Sequence, residues 1–174
     1  MIGLLQSDLE RYYFLIGKNG KVSRLGALKA FINVRLLPVA LIRLAYWCSH
    51  HHLGLVSKVV CLINLVLFGL EYSPKVKIGP GLFLPHTVGT VIGAASIGAN
   101  ATIFQGVTIG AKEVDMDYCP DKRPTILNDV TVGAGAKILG GITIEDGARV
   151  GANAVVLDNI PAGSTAVGIP ARLI

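Results

Sequence analysis

Charge is scarce in this chain. Only 16% of its 174 residues are Asp, Glu, Lys or Arg, against 52% hydrophobic. Disordered segments show the opposite balance, so the chain is expected to fold around a core. Aromatic residues are few as well, at 6%. The basic residues are interleaved with aliphatics rather than set beside stacking rings, which argues against nucleic acid as a partner. Cysteine is limited to Cys48, Cys61 and Cys119. That odd number falls at no metal or disulfide spacing, so idle thiols of a reducing, cytoplasmic compartment are expected. The opening MIGLLQSDLERYY carries acids early and lacks a basic-then-apolar pattern, so no export signal is expected.

Glycine, in contrast, is abundant. Its 21 residues are too many for a helical bundle and imply frequent tight corners. The net charge of +5 is also uneven. Residues 1–70 carry eight Lys/Arg against Asp8 and Glu10, a balance of +6, and residues 71–174 carry eight against nine acids, a balance of −1.

The two parts follow different patterns. Residues 1–70 read as a short apolar α-helical region. Ser7 is placed to cap a first helix with Glu10 three residues on, and Pro38 should kink or divide the stretch LGALKAFINVRLLPVALIRLAYW. The longest uncharged run of this region, Val59 to Leu70, includes Asn64 and is too short to span a bilayer. Residues 25–70 leave two readings open: helices packed on each other and on a partner subunit, or contact with the inner face of a membrane.

Residues 71–174 keep a period of six. Ile78 and Leu84 lead, after one extra residue, to Val91, Ile97, Ile103 and Ile109; the series resumes at Ile126, Val132, Ile138, Ile144, Val150 and Val156. Residues four places further on are small or apolar, among them Ala95, Ala101, Val107, Ala136 and Ala154. Glycines inside the units and β-branched anchors exclude a helix and fit short strands separated by corners. Three hexads make a triangular turn, and roughly five such turns fit with strands about 4.8 Å apart. The segment 111–125, AKEVDMDYCPDKRPT, interrupts the period and is expected to be an extended, solvated loop.

The strings IGAN, VGAGAKILG, VGANAVV and VGIPAR resemble the hexapeptide-repeat acyltransferases, and SPKVKIGPG, PHTVGTVIG and IFQGVTIG resemble the serine O-acetyltransferase branch. The resemblance implies a mainly β fold, a left-handed parallel β-helix, assembled as a homotrimer with sites between neighbouring subunits. It also implies acetyl-CoA as donor and no metal. His86, in LFLPHTVG, matches the family's general base, which must take a hydroxyl proton during acetyl transfer. Glu71, in GLEYSPKVKIG, stands where the family has the carboxylate that orients the base. Ala111, Ala134 and Ala152 match positions lining the cofactor groove, and Arg149, Lys137 and Arg172 are candidates for the CoA phosphates.

Two departures shape the expected acceptor. Pro85 replaces an aspartate before the base, and Lys122 and Arg123 stand where the serine enzymes place a basic residue and a second histidine. Both changes remove groups suited to an amino acid. The leading expectation is therefore a sugar hydroxyl, in capsule, exopolysaccharide or envelope-glycan synthesis, and the apolar N-terminal helices also resemble those of polysaccharide O-acetyltransferases of this group. The alternatives are serine O-acetylation in cysteine biosynthesis and a non-catalytic scaffold. A zinc carbonic anhydrase on the same fold is disfavoured, because the repeat carries one histidine where three ligands are needed.

Overall fold

A computed structural model of the chain describes residues 1–18 and 20–174. From Leu70 onward the chain winds as a left-handed parallel β-helix of hexapeptide repeats, its stacked coils as the period of six predicts and its hand as the family resemblance implies. The first face stacks Leu70–Tyr72, Thr90–Ile92, Thr108–Gly110, Lys137–Leu139 and Val155–Val156. The second stacks Lys77–Ile78, Ser96–Ile97, Thr125–Ile126 and Thr143–Ile144. The third stacks Thr102–Ile103, Thr131–Val132, Arg149–Val150 and Thr165–Gly168, closed by the antiparallel Ala171–Leu173.

Parallel register places like residues over like, so each face contributes one aliphatic column to the core. Ile78, Ile97, Ile126 and Ile144 form one such column, each 6% exposed or less. Burial of each branched side chain stabilises the fold by about 1.5–3 kcal/mol. One anchor differs from expectation. Ile92, not Val91, points inward, in register between Tyr72 and Ile109, and Ala94 rather than Ala95 follows it. The corner holding His86 is longer than six residues and the next one is shorter, so the phase slips there and recovers by Ile97.

At the corners the chain turns through left-handed backbone, at Asn100, Asp129 and Asn153 as well as at several glycines. Asn and Asp tolerate that region, and their side chains tie successive coils together. Asn100 Nδ2 donates to Asp129 Oδ1 at 3.0 Å, and the Ala99 amide donates to Asn128 Oδ1 at 2.8 Å. Gly98 is required for close approach: a Cβ there would lie 2.6 Å from the Leu127 backbone.

Three helices precede the β-helix: α1 (Ile2–Leu15), α2 (Leu37–His50) and α3 (Gly54–Phe68), with a 3₁₀ turn over Gly26–Phe31. Ser7 does not cap. It lies inside α1, its hydroxyl donating to the Gly3 carbonyl at 3.1 Å, because the apolar face that starts the helix already begins at Ile2. Pro38 divides the middle stretch by sitting in the first turn of α2, where its missing N–H has no partner to lose.

Leu5, Leu9, Ala27, Ala30, Leu36 and Ala40 form a small apolar cluster of the helical region's own, and the rest of the region is continuous with the β-helix core. Val39, Ile42, Ala45 and Val60 join the same apolar cluster as the β-helix columns. A buried ion pair fixes the junction. Arg43 (3% exposed) donates from Nε and Nη2 to the two carboxylate oxygens of Asp8 (1%), both at 2.9 Å. Arg43 also donates to the carbonyls of Ile78 and Gly79 at 2.6 Å, and the Leu82 amide donates to Asp8 at 2.9 Å. One pair thus joins α1, α2 and the first coil. No helix among the described residues is long and apolar enough to cross a membrane.

Candidate functional site

Leu84 is buried in the third-face column, and Thr87 is anchored by its hydroxyl to the Phe68 carbonyl at 2.8 Å. Between them the chain turns outward and leaves His86 exposed. His86 lines an open hollow of about 260 Å³ with Val34, Arg35, Phe68, Pro85 and Val88. Arg35, at the entry to α2, is a cation lining the same hollow that sequence pattern did not single out, because the two are brought to one hollow only by the docking of the helices on the first coil.

The corner that holds His86 continues upward as one edge of the prism. The Gly106 amide donates to Val88 at 3.0 Å, Gly135 to Gln105 at 2.8 Å, and Asn153 to Ala134 at 2.8 Å. Ala134 and Ala152 therefore lie on the same edge as His86, one coil apart, with small side chains and accessible backbone suited to an extended pantetheine arm. Gln105 lies between them and His86, and its Oε1 is buried with no hydrogen-bond partner. That residue stood in IFQGVTIG without being marked as functional. Lys137 reaches the same edge, but its ammonium donates to the Gly106 carbonyl at 2.6 Å and ties two coils. Arg149 is exposed on the third face, and Arg172 lies in a separate hollow with Asp158 and Asn159.

Other expected residues are not gathered there. Ala111 occupies a different edge, in a hollow with Lys112, Lys122 and Gly141. Glu71 pairs in register with Val91, beyond the corner from His86. Its neighbours Leu70 and Tyr72 point inward, so its own side chain points outward, into a hollow with Tyr118 and Arg123. Glu71 and His86 share no hydrogen bond within one chain, among the described residues. His50, His51 and His52 are exposed at the end of α2, away from the repeat.

The loop 111–125 is more ordered than a solvated insertion. Arg123 Nε meets Asp115 Oδ2 at 2.8 Å, Nη2 donates to the Asp115 carbonyl at 2.9 Å, and Nη1 donates to Gly93 at 3.0 Å. The guanidinium carbon lies 3.7 Å from the centre of the Tyr118 ring, whose hydroxyl donates to the Ala94 carbonyl at 2.9 Å. Desolvation alone would raise the Asp115 pKa. The Cys119 amide and the Arg123 and Lys122 charges outweigh it and hold the carboxyl below its ordinary range. Arg123, read from sequence as an acceptor-pocket residue, is thus engaged in folding its own loop, while Lys122 remains exposed. No cluster of metal-ligating side chains occurs among the described residues.

A bacterial transferase hexapeptide model of six repeats matches residues 123–158. A serine acetyltransferase of Helicobacter pylori strain J99 is 42% identical over 133 residues, 76% of this chain and 76% of that protein. The chain belongs to the serine acetyltransferase family. A second member, from Synechococcus elongatus, is 39% identical over 133 residues, and the chain spans about half of it, 53%. The crystal structure of Neisseria gonorrhoeae serine acetyltransferase in complex with serine superposes with a TM-score of 0.81 at 27% identity, covering 99% of this chain and 68% of that one.

These relatives overturn the expectation of a sugar acceptor and of a role in polysaccharide synthesis. That expectation rested on Pro85 and on the Lys122–Arg123 pair. Two altered positions are weak evidence against likeness sustained over 133 residues, and one of them, Arg123, is occupied in folding the loop. The structure also places Arg35, which the sequence reading missed, in the lining of the His86 hollow.

Proposed function

We propose that the chain is a serine O-acetyltransferase that uses acetyl-CoA as donor, the reaction that feeds cysteine biosynthesis. The observation that carries this reading is the placement of an exposed His86 at the foot of the Ala134–Ala152 edge, in a chain 42% identical to a serine acetyltransferase.

In this mechanism the pantetheine arm lies along that edge and sets the thioester against the His86 hollow. His86 takes the proton of the serine hydroxyl as its oxygen attacks the thioester carbonyl. The tetrahedral oxyanion then collapses, the C–S bond breaks, and the leaving thiolate receives the proton from the imidazolium. Arg35 faces the acceptor's carboxylate across the hollow. Glu71 serves as the carboxylate partner of the base only after its side chain rotates around the corner toward His86. Arg149 and Arg172 are assigned to the CoA phosphates, with Lys137 limited by its bond to Gly106.

A homotrimer accounts for the position of Ala111. Three copies about an axis set the edge of one subunit carrying Ala111 and Lys122 against the His86 edge of the next, so that the groove is closed by two chains. The enzyme is assigned to the cytoplasm, where acetyl-CoA is available and free Cys48, Cys61 and Cys119 stay reduced. The test is release of free CoA from acetyl-CoA on addition of L-serine. Serine-dependent release supports the assignment; donor binding with no release on serine rejects it.

A further inference from the structure

The helix α3 is built inside out. Its inward side carries the polar residues Ser57 and Asn64, both buried, whose side chains donate to the carbonyls of Ala45 at 2.8 Å and Pro38 at 3.0 Å on α2. Its outward side carries Leu55, Val59, Leu62 and Val66, at the i, i+4, i+7 and i+11 positions of one stripe. These are 78%, 48%, 57% and 72% exposed. A surface helix ordinarily shows water its polar face. Here the apolar stripe lies open and continues at the Phe68 end toward exposed Val34 and Val88 beside the His86 hollow. Contiguous exposed apolar surface of this kind marks a partner.

Charge identifies the partner. Both acids of residues 1–70 are engaged: buried Asp8 is paired with Arg43, and half-buried Glu10 accepts from Gln6 and from the Val22 amide. Among the described residues of this region, the exposed charged groups are Lys18, Lys21, Arg24, Lys29, Arg35 and Lys58, every one basic. Lys58 flanks the apolar stripe directly. A two-fold contact pairing this face with itself would bring like charges together, whereas an anionic surface neutralises them. α3, with 15 residues, is too short to span a bilayer but can lie in its interface.

We infer that the outward face of α3, with Lys58 beside it, docks the enzyme on an anionic lipid bilayer. This goes beyond the acetyl-transfer reading and does not depend on it. The test is co-sedimentation of the whole protein with vesicles of phosphatidylcholine alone or mixed 3:1 with phosphatidylglycerol. The protein is expected to pellet with the anionic vesicles, less at high salt, and little with the neutral ones. The double variant Leu62→Gln/Val66→Gln, both at exposed positions, should lower partitioning at least tenfold, and Lys58→Glu should lower it severalfold. Serine-dependent CoA release in solution should stay unchanged in both. Failure to pellet with anionic vesicles, or pelleting unaltered by the variants, overturns the inference. So does a fall in assembly mass of the double variant by light scattering, which would assign α3 to a subunit interface instead.

Discussion

Replacing Arg43 by Met tests how the helices are held on the β-helix. The substitution keeps most of the apolar length and removes a guanidinium that makes four hydrogen bonds, two to Asp8 and one each to Ile78 and Gly79. What remains is a carboxylate 1% exposed with only the Leu82 and Gly81 amides to solvate it, and two carbonyls without their donor. Breaking a buried pair in this way costs about 3–5 kcal/mol. For a chain of this length each kcal/mol moves the midpoint by about 2–4 °C, so Tm should fall by about 6–20 °C. The companion Asp8→Leu/Arg43→Met removes both charges and should recover at least about 1 kcal/mol relative to Arg43→Met alone, since no unpaired charge is left buried. Reversible urea unfolding of the wild type, both single variants and the double variant closes the cycle. A loss below about 1 kcal/mol for Arg43→Met, or additive single effects, would refute the claim that this pair fixes the junction.

His86→Ala should lower serine-dependent CoA release by about 10²–10⁴-fold while leaving Tm nearly unchanged, since the side chain is exposed; full activity in the variant removes His86 from the chemistry. Gly98→Ala forces a Cβ against the Leu127 backbone and should destabilise by about 1–3 kcal/mol, whereas Gly110→Ala, with nothing within 4 Å, should be tolerated; equal urea midpoints would contradict the close-packed corner. Asp115 has a depressed pKa when folded, so its anchoring of the loop is complete above the ordinary carboxylate range and is lost as pH falls through the depressed value. Hydrogen exchange of the loop 111–125 should therefore accelerate in strong acid in the wild type, and Asp115→Asn should show that fast exchange already at neutral pH.

The β-helix was legible because its information is local and repeated. A column such as Ile97, Ile126 and Ile144 declares itself by spacing alone, since every coil must present the same inward position. The candidate base was marked for a related reason: His86 lies in a contiguous string of the repeat. The period failed at Val91 and Ile92, where a longer corner shifts the phase without leaving a mark in composition. The acceptor was misread because composition cannot tell an arginine that meets substrate from one that holds a loop. Arg123 became the second kind only when Asp115, Tyr118 and Gly93 converged on it.

What the sequence alone determined is thus the coil, its three aliphatic columns and the histidine at one corner, because each follows from neighbours within a hexad. Tertiary structure decided everything that joins distant segments: Arg35 in the His86 hollow, Asp8 against Arg43, Ala134 and Ala152 on the histidine's edge, and Ala111 on another. It also decided which side of α3 meets the protein. Hydropathy along that helix is nearly uniform, so only the packing of Ser57 and Asn64 against α2 shows that its apolar stripe faces outward.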